Sequence, residues 1–357
     1  MSHALPALLL ALVALAPPCA AEPTHRFREI APGVHFATGT GAVNLVSNAL
    51  VIVNDDHVVV VDSHVTPDAG RALADAVATL TDAPIRYLVN THFHFDHAHG
   101  NAGFPATTTV IGHEVTGERL RRDVTKEPIF AAVGTPEAAA FQVAEAEAAL
   151  AAAAPEARPA LEGQVAMLRR HLAAVQALEI RPPDLTFDGR LVLREGGREI
   201  QLLFLGRGHT GGDVVVWLPA ERVVFTGDLL QPGAPYLGDG YPDEWGRTLD
   251  AVAALPFEWV APGHGEPFRD RAVIDEAKRF LADFTAEARA LRAEGLDVRE
   301  AAARLELDGW EEYAGWMRAL PAVMEIQVQR VWDLDDAAGP ERATGHAPGV
   351  APEARDS

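Results

Sequence analysis

The chain has 357 residues, 48% of them hydrophobic, and a formal net charge of −21. That length and apolar content suffice for one large or two modest buried cores. The negative charge repels phosphate backbones and no Lys/Arg run offsets it, so nucleic acid is argued against as substrate or partner.

Residues 4–16 form an apolar run too short to span a bilayer, followed by Pro17-Pro18 and the small residues Cys19-Ala20-Ala21 ahead of Glu22. This pattern predicts a secretory signal peptide over residues 1–21, cleaved after Ala21, and so a periplasmic or secreted protein with no stable membrane insertion. Cys19 is the one cysteine of the chain, and Ala16-Pro17-Pro18 before it makes a poor lipoprotein signal. The mature chain would then contain no cysteine, which leaves nitrogen and oxygen as the donors for any metal.

Further along, β-rich runs alternate with turn residues, predicting strands at 34–37, 44–53 and 58–62. Residues 66–80 carry Ala, Leu and Val at helical spacing with Pro67 suited to a first turn, and 85–90 return to strand. From about 114 to 180 the composition turns to Ala, Glu, Arg and Leu, which predicts a helical insertion: a hairpin of 137–154 and 156–179, broken near Pro155 to Pro159. Strands resume at 185, 190–193, 199–205, 214–218 and 223–225, forming a second β layer. Helices are expected at 243–255, 270–294, 298–305 and 320–335, and a disordered tail at 337–357. The mature chain then reads as one domain over 22–336.

Directly after the strand at 85–90 comes Thr91-His92-Phe93-His94-Phe95-Asp96-His97. No core needs three imidazoles and a carboxylate so close together, whereas zinc and similar ions bind these side chains. Three more polar residues stand beside glycines where apolar runs end. They are His209 in Gly206-Arg207-Gly208-His209-Thr210-Gly211-Gly212-Asp213, Asp228 in Phe225-Thr226-Gly227-Asp228, and His264 in Ala261-Pro262-Gly263-His264-Gly265. Glycine permits tight turns that aim a side chain off a strand end, so several strands can converge on one ion. The isolated His25, His35, His57, His171 and His346 read as structural. His64, His99 and His113 lie near the motifs as candidates for supporting or rim positions, and Trp217, Trp245, Trp259, Trp310 and Trp316 read as core or pocket wall.

In order, His-x-His-x-Asp-His, Gly-His-Thr, Thr-Gly-Asp and Pro-Gly-His, with the strand-end Asp62 ahead of them, resemble the metallo-β-lactamase superfamily over about residues 34–268. The resemblance implies an α/β fold, an αββα sandwich with a metal site at the strand edges between its two sheets, the helical insertion lying over or beside that site. By position, His92, His94 and His209 would hold one zinc ion and Asp96, His97 and His264 a second, with Asp228 bridging. Asp62 would steady the histidine loop, and ligating imidazoles need such partners. Asp96 would also accept a proton during catalysis.

The expected function is that of a periplasmic dinuclear zinc hydrolase acting on a small-molecule ester, thioester, lactone or amide-type bond by metal-bound hydroxide. Two divalent ions about 3.5–4 Å apart can share a water, lower its pKa and stabilise a developing oxyanion. A true β-lactamase ranks second, because those branches mostly carry cysteine or serine where this chain has Asp228. A redox reading belongs to another class. Flavodiiron proteins replace the second histidine of the cluster with glutamate, which His94 argues against, while persulfide dioxygenases keep the cluster and bind a single iron. The oligomeric state is left open.

Overall fold

The computed structural model describes residues 22–338; the expected signal peptide and residues 339–357 of the expected tail lie outside the described residues. Strands β1 (His25–Ala31), β2 (Val34–Gly39), β3 (Ala49–Val53) and β4 (Val58–Val61) run antiparallel in chain order. Helix α1 (Pro67–Val77) is capped by Thr66, whose hydroxyl accepts from the Ala69 amide, and proline opens its first turn. Strands β5 (Ile85–Val89), β6 (Thr109–His113) and β7 (Leu185–Phe187) complete a seven-stranded sheet whose spatial order follows the chain. A second sheet of five strands has the order β12-β11-β10-β9-β8, built from β8 (Arg190–Glu195), β9 (Arg198–Phe204), β10 (Val214–Leu218), β11 (Val223–Gly227) and β12 (Trp259–Pro262).

Strand periodicity explains the layering. In β4, Val59 and Val61 join the core between the sheets, with Phe36, Leu50, Leu202, Val216 and Phe225, whereas Val58 and Val60 pack outward beneath Leu73 and Val77 of α1. β10 alternates in the same way: Val214, Val216 and Leu218 face the first sheet, and Val215 and Trp217 face the helices beyond. Each fully buried side chain of this kind contributes about 1.5–3 kcal/mol. The outer layer of the second sheet comprises α6 (Pro242–Ala253), α7 (Ala272–Ala293), α8 (Val298–Arg304) and α10 (Pro321–Ala338), with Trp245, Phe280, Phe284 and Trp332 in its core. The result is the expected αββα sandwich.

The insertion is helical as expected. It contains α3 (Glu114–Leu120), a π-helical turn at Phe130–Gly134, and the hairpin of α4 (Pro136–Ala152) and α5 (Arg158–Gln176). Several expectations need correction. The strand expected at 44–53 begins only at Ala49, because residues 44–48 turn across the edge of the sandwich. There the Asn48 amide donates to the Gly263 carbonyl at 2.7 Å, and Val46 adopts a φ of 67°. β1 and β6 were not expected, whereas β12 is the strand end expected ahead of His264. β1 exposes Arg26, Arg28 and Glu29 along a sheet edge, and its partner β2 gives it the register that its own apolar content does not. α10 continues through Ala338, two residues into the expected tail.

Pairing direction positions the site. β4 with β5, β5 with β6, and β11 with β12 are parallel, so their carboxyl ends emerge along one edge of the sandwich. Such strand ends are where open α/β sheets present functional groups.

Candidate metal centre

Asp62 follows β4, His92 to His97 follow β5 and run into the short α2 (Phe95–Ala98), His209 lies between β9 and β10, Asp228 follows β11, and His264 follows β12. Every one of the metal-ligating candidates named from sequence is brought to this edge. The side chains form three overlapping groups: His92, His94 and His209; His92, His97 and Asp228; and Asp96, His97 and His264. In the first, His94 Nδ1 lies 3.1 Å from His92 Nε2 and 2.9 Å from His209 Nε2. In the last, His264 Nε2 lies 3.2 Å from Asp96 Oδ2, and His97 Nε2 lies 3.4 Å from the same oxygen. Asp228 faces both sets, 3.2 Å from His97 Nε2 and His264 Nε2 and 3.7 Å from His209 Nε2.

The outward nitrogens fix which ring atoms face inward. His209 Nδ1 meets the Tyr236 carbonyl at 2.9 Å, and a carbonyl can only accept, so Nδ1 carries the proton and Nε2 keeps its lone pair. By the same reasoning His97 donates from Nδ1 to Asp62 Oδ2 at 2.8 Å, and His94 donates from Nε2 to Asp239 Oδ2 at 3.1 Å. The Thr91 hydroxyl donates to Asp62 and so accepts from His92 Nδ1 at 2.9 Å. Three unprotonated nitrogens, on His92, His94 and His209, therefore point into one small volume together with His97 Nε2, which carries a second proton in the metal-free protein. Their spacing around His94 is close to the roughly 3.3 Å edge of a tetrahedron with Zn–N distances of about 2.0–2.1 Å.

Two buried atoms bear on whether the site suits a cation: His97 Nε2 and Asp228 Oδ1 make no hydrogen bond. Backbone crowding also fits, because a Cβ on Gly263 would stand 2.2 Å from Asp228 Oδ1 and 2.8 Å from His97 Cε1. Only glycine lets the β12 loop come this close. The donor set, imidazole and carboxylate without thiolate, is that of zinc and its borderline neighbours.

Protonation in the protein alone reflects the same crowding. Burial, followed by the neighbouring His97, His94 and His209, pushes His92 well below the usual imidazole range, and burial with His94 lowers His209 to about 3. Burial opposes charge on His97 and His264, but the surrounding carboxylates outweigh it, raising His97 well above its ordinary value and His264 to about 10. Asp228 is held well below the carboxylate range, His264 and His97 overcoming its burial. The metal-free cluster is thus a carboxylate pair neutralised by protons where cations would otherwise stand.

Sequence reasoning missed Asp239. This buried carboxylate accepts from His94 and pairs at 2.9 Å with Arg119 of α3, which also pairs with Glu127 and lies over the Phe93 ring. His94 and Arg119 overcome burial and hold Asp239 at about 2. Its setting, Gly238-Asp239-Gly240, carries the glycine-flanked polar signal that marked the other sites. His64 and His99 are buried beside the cluster rather than in it: His64 contacts His25 at 3.1 Å and Ser47 at 3.3 Å, and His99 packs on Phe130. His113 caps α3 by accepting from the Val115 amide.

A cavity of about 380 Å³ opens above His94, Asp96, Asp228 and His264. Its walls include the apolar Val46, Phe95, Ile129, Val133, Trp316 and Leu320 and the polar Gln231 and Tyr236. The insertion thus lies beside the site, through its residues 129–133, and α9 (Gly315–Arg318) contributes Trp316 to the same walls.

Residues 42–264 match the metallo-beta-lactamase superfamily, and the chain belongs to that superfamily, a family of metal-dependent hydrolases. It is 32% identical to a metallo-beta-lactamase type 2 of Bacteroides fragilis over 108 residues, which is 29% of this chain and 43% of that protein. It is 27% identical to the type 2 enzyme of Elizabethkingia meningoseptica over 105 residues, 28% of this chain and 42% of that protein. The chain thus spans less than half the length of these relatives. A metallo-beta-lactamase from Pontibacter korlensis shares the fold with a TM-score of 0.51 at 18% identity, covering 72% of this chain and 99% of that one.

Proposed function

We propose that the protein is an exported, dinuclear zinc hydrolase that cleaves an ester, thioester, lactone or amide-type bond of a small molecule. The observation that carries this reading is the inward convergence of five imidazoles, four of them fixed by an outward partner, around a carboxylate shared between two groups. His92, His94 and His209 hold one ion, Asp96, His97 and His264 the other, and Asp228 faces both. Divalent ions held there supply a water of lowered pKa and an electrophile for the substrate carbonyl oxygen.

The chain's own part is to orient and to move a proton. Asp62, Asp239, Thr91 and the Tyr236 carbonyl keep the imidazoles in the binding tautomer. The Asp96 carboxylate lines the cavity and receives the proton released as the carbonyl is attacked. Export rests on the apolar run at 4–16, and no helix among the described residues is long and apolar enough to cross a membrane. A β-lactam bond is the second reading, favoured by the 32% identity to the Bacteroides fragilis enzyme.

Metal analysis of the purified mature protein, with a panel of nitrocefin, lactoylglutathione, aryl esters and acyl lactones, tests the proposal. Two zinc ions per chain are expected, with turnover abolished by a chelator and restored by zinc. One iron per chain with oxygen uptake would overturn the hydrolase, and nitrocefin turned over faster than every ester and lactone would move the assignment to the second reading. An amino terminus at Glu22 in protein recovered from the periplasm checks export.

A further inference from the structure

Among the described residues, five large hydrophobic side chains stand exposed: Val46, Phe141, Leu185, Trp316 and Leu320. Three of them, Val46, Trp316 and Leu320, line the cavity above the metal centre. Exposed apolar side chains scattered singly need no explanation, but a cluster around a concave site marks what the site binds. They come from separate parts of the chain, the loop ahead of β3 and the segment between α8 and α10, and Ile129 and Val133 of the insertion extend the same surface.

The charges around the cavity point the same way. No lysine or arginine is among the described residues that line it. Arg119 is committed elsewhere, paired with Glu127 and Asp239 and stacked on Phe93. The carboxylates in the cavity are the candidate metal ligands Asp96 and Asp228, and the whole chain carries −21. Gln231 and Tyr236 are the neutral polar side chains among the described lining residues, so a carboxylate on the part of the substrate that lies along the walls would meet no opposite charge there, which is costly.

Resting on the hydrolase reading above, we propose that the substrate is a neutral ester or lactone whose acyl chain or ring is apolar, and that Trp316 and Leu320 are specificity-determining residues. The metal centre engages the carbonyl, and the two side chains grip the apolar remainder.

A matched pair of esters tests this: 4-nitrophenyl hexanoate, and its counterpart with a carboxylate at the far end of the acyl chain, assayed with the zinc-loaded enzyme. The neutral ester is expected to have a kcat/KM about 100-fold higher, the order set by burying an unpaired carboxylate. In Trp316→Ala and, separately, Leu320→Ala, KM for the neutral ester rises about tenfold while kcat is kept, because a wall contact binds ground and transition states alike. Both positions are partly exposed, so neither change removes a core side chain.

Calorimetric binding of 4-nitrophenyl hexyl ether, which cannot be hydrolysed, separates this proposal from the one it rests on. Ether binding that weakens about tenfold in both variants, with no ester cleaved by any of the proteins, upholds the apolar wall and overturns the hydrolase. Hydrolysis with equal or greater kcat/KM for the charged ester, or with KM unchanged in both variants, upholds the hydrolase and overturns the wall.

Discussion

The floor and the walls of the cavity are built on opposite principles. On the floor, polar side chains from five loops converge, all buried except the half-buried His264, and the four imidazoles of His92, His94, His97 and His209 are each locked by a hydrogen bond from the outward nitrogen. On the walls, Val46, Trp316 and Leu320 stand partly in solvent, held by packing with few directional contacts. The floor tolerates no change of residue type because its geometry is set by lone pairs. The walls need only size and apolarity, so substitutions there alter substrate choice before they alter chemistry.

The largest expected effect is on the floor. His92→Ala should lower kcat/KM by about 1000-fold or more, the loss of several kcal/mol of metal-derived stabilisation, and should reduce the bound zinc in elemental analysis. His171→Ala, in α5 and away from the centre, should retain full turnover; an equal loss in both variants would erase the distinction between floor and surroundings.

One step out from the floor, Asp239→Asn should weaken zinc binding about 10–100-fold in a competition titration with a chelating dye, through loss of the charged partner of His94. Unchanged affinity would reduce Asp239 to a packing residue.

The pH dependence of zinc uptake sharpens the contrast further. In the metal-free protein Asp228 and Asp96 outweigh burial and hold His264 at about 10. Zinc at Asp96, His97 and His264 must displace that proton and the one on His97, so apparent affinity of this site should rise about a hundredfold per pH unit through neutrality. The sign for stability follows. A histidine with a raised folded pKa stabilises fully below its unfolded value of about 6.5 and loses that contribution as pH climbs towards 10. The urea midpoint of the metal-free protein should therefore fall over that window, whereas the zinc-loaded protein should not show this loss.

The smallest effect belongs to the wall. Val133→Ala should raise KM for an apolar ester about threefold, with kcat and zinc content unchanged, as expected for partial burial of two methyl groups.

This contrast also explains what was legible in the sequence. The floor could be read because no core requires His92, His94, Asp96 and His97 so close together, and because His209, Asp228 and His264 stand beside glycines at strand ends. The alternating layers could be read from valine-rich runs such as Val58–Val61. The walls could not: Trp316 looks like any core tryptophan, and Val46 sat inside a run that reads as strand. Its left-handed backbone arises only because Asn48 is tied to Gly263, Pro262 and Gly265, contacts more than 200 residues away in the chain. Asp239 was hidden in another way, since a Gly-Asp-Gly tripeptide signals a turn until the fold brings it to an imidazole 145 positions earlier.

The Arg119–Asp239–His94 chain gives the insertion a stake in chemistry it does not perform. Because α3 supplies the cation that steadies the carboxylate behind His94, replacing residues 114–180 with the corresponding stretch of a relative would exchange more than a lid. A transplanted segment without an arginine at that place would loosen one imidazole of the centre, so recognition and reactivity in this enzyme are mechanically tied rather than modular.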